Sequence, residues 1–405
     1  MEEFDEFEDL FLDEEYYRPP VLHPLYCPRV RNPLADIIPL IGATVVTLMD
    51  SREHQPRQEG LAEVLEAKSD IDFFRHLRLS RNSFARTLEI IYKAYDESSS
   101  GTTLYLGPRK SLYLTLCYLS TQSTYCEISE LFGVSQMTVF ECVQRVIDVL
   151  CAAGKKVIVW PTAEEQHQVS IEFLMLGGIP EVIGAVDGCH IHIKAPSDTQ
   201  ADYINQNQRH TVNLMAVCTA DKKFSFIQAG FPGSAHDSCV FRSCTVFTKM
   251  QNSDATFFSS PNYHIVGDSA FPLHKHLMVP LKNIGNQCEA QSKFNTKLSK
   301  ARVTIENAFD FLKGRFRHLK YVDADIERIP KIVKACCVLH NIALQHPEDI
   351  IFLEREGVLN CPMQVSGAKL SQTQQVEERE KQWLLQGYCK ECREFHKHIM
   401  LTTVA

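Results

Sequence analysis

Three carboxylates stand where a carboxylate is costly. Asp187 lies inside Ile183-Gly-Ala-Val-Asp187-Gly-Cys-His-Ile-His192, an apolar, β-rich run. Asp268 follows Ile265-Val266-Gly267 at the end of a second apolar run. Glu306 sits between Ile305 and Phe309 on a helical pattern over 301–318. A charge among apolar side chains is expensive unless it is paired or metal-bound. Three converging carboxylates repel one another without a cation between them, and hard oxygen ligands suit Mg²⁺ or Mn²⁺. Two such ions activate a water or hydroxyl and stabilise the leaving oxygen of an in-line phosphodiester displacement. Each acid also has a plain role: Asp187 and Asp268 as turn caps, Glu306 as the partner of Arg302 one helical turn earlier. Their order on strand, strand and helix makes the set more specific than any member.

Asp237, in Phe231-Pro-Gly-Ser-Ala-His-Asp237-Ser, is a fourth candidate, either as a further metal-site acid or as a helix N-cap. Basic residues gather after Glu306. Between Lys293 and Lys320 stand eight Lys/Arg and two acids, and Lys313, Arg315, Arg317 and Lys320 form a candidate phosphate track. His190 and His192 alternate with Asp187 and are expected on the opposite strand face, as structural or surface histidines.

These residues need elements to hold them. Residues 1–16 carry nine acids interleaved with Phe and Leu, and 17–60 form a weakly periodic, Pro-containing linker. The tail is expected to be solvated and in part disordered, with a docking or shielding segment as the alternative. Helical periodicity begins near 61, Ser80 is placed to cap a helix through Phe84, Leu88 and Ile91, and 111–150 reads as three helices. Thr124-Tyr-Cys-Glu127 has the form of a capping box, Gly133 supplies a turn, and Ser135 caps the next helix. That is a helix-turn-helix pattern whose second helix exposes Gln136, Gln144 and Arg145 as candidate nucleic-acid contacts. It carries little positive charge, and the alternative is an ordinary helical hairpin. From 157 the pattern changes to strands: 182–193, a hairpin of 213–219 and 224–230, and 264–267. Helices follow over 301–318 and 329–345. An α/β layer fold is expected. The expected divisions are 1–60 acidic tail and linker, 61–155 helical domain, 156–345 catalytic-type α/β domain and 346–405 helical extension.

The net charge of −8 argues at first against nucleic acid, but residues 1–100 alone hold 20 acids and 11 bases, so charge clusters in the rest matter more than the total. No apolar run is long enough to span a bilayer, and the acidic start lacks a secretory pattern, so an intracellular protein with its 15 cysteines reduced is expected. Cys389, Cys392, His396 and His398 are zinc-type ligands at a spacing unlike a standard finger.

The ordered motifs resemble the PIF/Harbinger superfamily of DDE transposases, in particular the Harbinger transposase-derived nucleases of animals. They are Ala185-Val-Asp187-Gly-Cys-His190-Ile, Pro232-Gly-Ser-Ala-His-Asp237-Ser, Gly267-Asp268-Ser-Ala-Phe-Pro272, Arg302-Val-Thr-Ile-Glu306 with Leu312-Lys313-Gly-Arg315-Phe316, and Cys336-Cys-Val-Leu-His340-Asn341. The resemblance implies an RNase H-like core behind a helical DNA-binding region. It also implies divalent-metal endonuclease chemistry on DNA, with Asp187, Asp268 and Glu306 catalytic and Asp237 a fourth metal position. A nuclear role, with some presence in the cytoplasm, and a separate Myb-like partner protein follow from it, with self-association into a homo-oligomer left open. Phe271 stands where the family tends to carry Tyr and Asp310 where it often carries Gly, and neither change removes a ligand. The rival expectation is a domesticated, non-catalytic DNA- or protein-binding factor that keeps the fold. A metal-dependent phosphatase using the same acids is a further rival.

Overall fold

The computed structural model describes residues 61–97, 106–197, 199–252, 257–281 and 289–356. The acidic stretch 1–60 and the Cys389, Cys392, His396 and His398 group lie outside the described residues.

Among the described residues seven helices precede the sheet: α1 (Leu61–Ala67), α2 (Asp70–Leu77), α3 (Arg81–Glu97), α4 (Pro108–Ser120), α5 (Tyr125–Phe132), α6 (Gln136–Val157) and α7 (Ala163–Gly177). Their starts follow from local chemistry. The Ser80 hydroxyl accepts from the Ser83 amide at 3.2 Å and opens α3. Thr124 and Glu127 form a reciprocal capping box, Gly133 ends α5 in the left-handed region at φ 64°, and the Ser135 hydroxyl accepts from the Thr138 amide to open α6. Val139, Val143, Ile147 and Leu150 are buried along α6, while Phe140 is half-buried beside Tyr125 and under the Arg328 guanidinium.

α7 corrects the sequence expectation, which changed to strands at 157. Its hydrophobic face is weak, because Met175 and Leu176 are exposed. A second capping box, Thr162 with Glu165, nonetheless marks its start. Gly177 lets α7 lie close to a later helix; a Cβ there would stand 3.0 Å from the Ala301 Cβ.

A five-stranded sheet follows, in the order β3-β2-β1-β4-β5. β1 (Val182–His192) pairs antiparallel with β2 (Thr211–Cys218), and β2 antiparallel with β3 (Phe224–Pro232). β4 (His264–Val266) runs parallel to β1, and β5 (Leu277–Met278) parallel to β4. β2 is buried along its length, as a central strand covered on both faces should be. β5 was not foreseen, since two residues carry no period. Gly230 is skipped in the β2–β3 pairing and has φ 118°, so it is a bulge that only glycine fills without strain.

Two short helices, α8 (Asp237–Arg242) and α9 (Thr245–Gln251), follow β3. α10 (Glu289–Arg315) begins earlier than the expected 301 and is the long helix against β1. α11 (Ile329–Ala343) and α12 (Pro347–Arg355) complete the described chain. Among the described residues no helix is long and apolar enough to cross a membrane.

Two buried polar groups join these layers. Asn341 on α11 accepts from the Phe224 amide at 2.9 Å and donates to the Phe224 carbonyl at 2.8 Å and the Val157 carbonyl at 3.1 Å. It thereby ties α6, β3 and α11 together. Arg315, at the end of α10, and Asp349, on α12, are both fully buried and meet at 2.6 Å. Asp349 also accepts from the Ser80 amide and the Ser83 hydroxyl, and the same Arg315 nitrogen donates to the Arg78 carbonyl. The candidate phosphate role of Arg315 is therefore corrected: its guanidinium is interior and engaged.

Removing one partner of a buried pair strands the other charge, while replacing both with apolar groups is often neutral. Asp349→Ala is expected to lower unfolding free energy by about 3 kcal/mol. The double variant Arg315→Met/Asp349→Leu is expected to lose far less, because Arg315 Nε and Nη2 already lack a partner among the described residues. Urea titration of both variants measures the difference.

Candidate active site

The site forms where β1, β4 and α10 meet. Parallel pairing sets Ala185 beside Val266, so the chain two residues further on brings Asp268 alongside Asp187. Asp187 Oδ1 accepts from the Gly188 amide at 2.8 Å, and Asp268 Oδ1 from the Ser269 amide at 2.5 Å. Alternation along β1 turns Asp187 toward α10. There Arg302 Nη1 lies 3.3 Å from Asp187 Oδ2 and 2.7 Å from Glu306 Oε1. The guanidinium bridges the strand acid and the helix acid, so the pairing foreseen as the plain role of Glu306 is present. The Asp187 side chain is 18% exposed and that of Glu306 44%, so the strand acid bears most of the desolvation.

Burial pushes the Asp187 carboxyl up to about 6, with Asp237 and Asp268 raising it further, against the Gly188 amide and Arg302. A proton, a guanidinium or a metal ion can each relieve that stress. The donor set of hard carboxylate oxygens fits Mg²⁺ or Mn²⁺ in chemistry. Among the described residues, no three His, Cys, Asp or Glu side chains converge on a single ion position, and Arg302 holds a cation's place between Asp187 and Glu306.

Asp237 lies apart from this face. A Cβ on Gly188 would overlap its carboxylate, so Asp237 packs on the side opposite the Asp187 side chain. It is the first residue of α8, after His236 as N-cap, and its Oδ1 accepts from Asn213 Nδ2 at 2.6 Å. Asn213 is fully buried on β2 opposite His190 and was missed in the sequence. A lone Asn in the run Thr211-Val-Asn-Leu-Met-Ala-Val was the signal that could have found it. His190 does fall on the face away from Asp187, as alternation required, and its Nδ1 lies 3.0 Å from Thr211 Oγ1.

The basic run divides. Lys313 Nζ donates to the His190 carbonyl at 2.9 Å and is tied to β1. Arg315 is interior, while Arg317 and Lys320 are exposed. On α6, Gln136 and Arg145 are exposed and Gln144 is half-buried; the Arg145 guanidinium stands 5.8 Å from the Tyr95 ring centroid.

Comparison with known proteins adds a family. Residues 186–341 match the profile described as DDE superfamily endonuclease. The bovine protein named "Putative nuclease HARBI1" is 30% identical over 250 residues, covering 60% of this chain and 70% of that protein. Its human counterpart is 28% identical over 262 residues, covering 64% and 73%. An Arabidopsis thaliana protein named "Protein ALP1-like" is 28% identical over 258 residues, covering 61% and 62%. No solved structure matches.

The raised Asp187 carboxyl dictates a pH dependence. Its proton is held more tightly folded (about 6) than at the ordinary 3.8 of an unfolded chain. Its contribution to stability is therefore greatest below about 4 and is lost as pH rises to about 6. In chelator-treated buffer, Asp187→Asn should stabilise the fold by about 3 kcal/mol above pH 6, with the gain fading toward pH 4. Denaturation midpoints of the two proteins across that range give the test.

Proposed function

The chain belongs to the DDE superfamily endonuclease family, and from that premise we propose that it is a transposase-derived endonuclease that hydrolyses DNA phosphodiester bonds with divalent metal ions. The observation that carries the proposal is Asp187, a carboxylate held in a buried strand at energetic cost with Asp268 brought alongside it. A site that needed only to bind DNA has no use for that cost.

In this proposal Asp187, Asp268 and Glu306 are the catalytic acids that hold Mg²⁺ or Mn²⁺. Bound ions would supply an activated water and charge stabilisation at the leaving oxygen. Asp187 and Asp268 present their oxygens from adjoining strand ends. Glu306 turns toward them when Arg302 releases it, and the released guanidinium is then available to a phosphate oxygen. Asp237, on the other face, acts on the site through its charge. Arg317 and Lys320 remain as the exposed phosphate track. The sheet order, with three antiparallel strands followed by two parallel ones, supports an RNase H-like core. Residues 61–155 serve as the helical DNA-reading domain before the 156–345 nuclease domain, with α5 and α6 as a helix-turn-helix that offers Gln136, Gln144 and Arg145. The small positive charge on α6 supports shared DNA reading with a Myb-like partner, in the nucleus, with self-association a further option.

One observation favours the non-catalytic alternative. Arg302 bridges Asp187 and Glu306, so part of their charge is offset by the protein itself.

Calorimetry with Mn²⁺ separates the two. The wild type is expected to bind, and Asp187→Asn and Asp268→Asn to weaken binding at least tenfold while remaining folded. A wild type that binds no Mn²⁺, even with DNA present, overturns the nuclease proposal. Arg302→Gln removes the competing cation and should tighten Mn²⁺ binding severalfold while slowing DNA cleavage.

A further inference from the structure

On the face of the sheet opposite the Asp187 side chain lies a cavity of about 260 Å³. His190 and Asp237 line it together with Gln206, Ser234, His236 and Ala270. It adjoins the acid site twice. Ala270 is two residues past Asp268, and Asp237 packs against the backbone of Gly188, next to Asp187. The loop over it is set close by Gly233, where any Cβ would overlap Thr211. The Gly230 bulge turns β3 into that loop.

The lining chemistry selects the occupant. Among the described residues no lysine or arginine lines the cavity and Asp237 is the acid that does, so an anion such as phosphate is repelled. Asp237 is held from behind: Oδ1 accepts from Asn213, whose own side-chain oxygen is buried without a partner. That leaves Oδ2, on a residue that lines the cavity, as the carboxylate's remaining acceptor. His190, held at Nδ1 by Thr211, keeps Nε2 as its remaining ring nitrogen. Serine hydroxyls and the Gln206 amide add donors and acceptors at the rim. The volume equals roughly nine waters at ~30 Å³ each. That is smaller than the ~300–1,000 Å³ of a drug-sized ligand site. A small, planar, uncharged group with a donor for Asp237 meets all of these terms.

We propose that this cavity receives one unstacked nucleobase of the DNA strand beside the cleaved bond, and that Asp237 selects bases that present an amino group over thymine. The inference rests on the nuclease reading for its biological setting. Its chemistry is that of enzymes that take a base out of the stack and read its edge, with a carboxylate accepting from an exocyclic amine.

The test uses the full chain and four probes: deoxycytidine, deoxyadenosine, deoxyguanosine and thymidine, titrated by saturation-transfer NMR with inorganic phosphate as competitor. The three amino-bearing nucleosides are expected to bind at least fivefold more tightly than thymidine, with no competition from phosphate. Ser234→Trp fills the rim and should abolish nucleoside binding while leaving Mn²⁺ binding intact. Asp237→Asn replaces the acceptor with an amide and should reverse the preference, so that thymidine gains on deoxycytidine, which a merely structural Asp237 would not do. Equal binding of all four, no binding, displacement by phosphate or indifference to Ser234→Trp overturns the proposal. Loss of Mn²⁺ binding in the wild type would instead sink the nuclease reading and leave the nucleoside result standing.

Discussion

The site depends on the placement of α10, and α10 is held at its end by a charge buried away from bulk solvent. Arg315 lies 13 residues beyond Arg302 and is locked to Asp349 and the Arg78 carbonyl. A helix pinned there presents Lys313, Glu306 and Arg302 along one side to β1 at a fixed rotation. A buried pair of this kind gives little net stability against an apolar replacement, but it discriminates sharply against a shifted register, in which both charges would be stranded. The pair therefore acts on orientation more than on strength. It also joins the helical region to the sheet region, since Asp349 accepts from Ser80 and Ser83 at the head of α3.

At the other end of that side, electrostatics leave a choice open. Asp187 is strained by burial, and Arg302 shares itself between Asp187 and Glu306. One guanidinium cannot neutralise three acids. The arrangement leaves the three acids short of positive charge. β1 separates two chemistries by a single residue step: Asp187 looks toward α10, while Gly188 leaves room for Asp237 on the reverse.

Much of this was legible in the sequence. Capping chemistry at Ser80, Thr124 and Ser135 is local, and the helices begin where those side chains stand. β1 and the hairpin were visible in their apolar runs. Asp187 and Asp268 stood out because an acid beside apolar strand residues is conspicuous, and the parallel pairing does bring them together. Where tertiary context decides, the sequence misled. Arg315 reads as one more cation in a basic run, and nothing local reveals that Asp349 waits for it. α7 hides because its outer face carries Met175 and Leu176, which blur the period. β5 is too short to carry a pattern, and Asn213 acquires meaning only from a residue 24 positions later. The relation of Asp237 to the other acids depends on which face of β1 it approaches, and motif spacing does not encode that.

The Asp349 contacts also bear on the order in which the protein can be made. Their partners lie 269 residues earlier at Ser80 and 34 residues earlier at Arg315. During vectorial synthesis, segments that emerge first usually fold first. Here the head of α3 and the end of α10 must both wait for α12 to leave the ribosome before their polar groups are satisfied. Asn341 imposes a similar wait on Phe224, 117 residues before it. The nascent chain is thus held back from a finished acidic face until nearly all of the described polypeptide exists. A ribosome-bound fragment carries the acids without the scaffold that orients them.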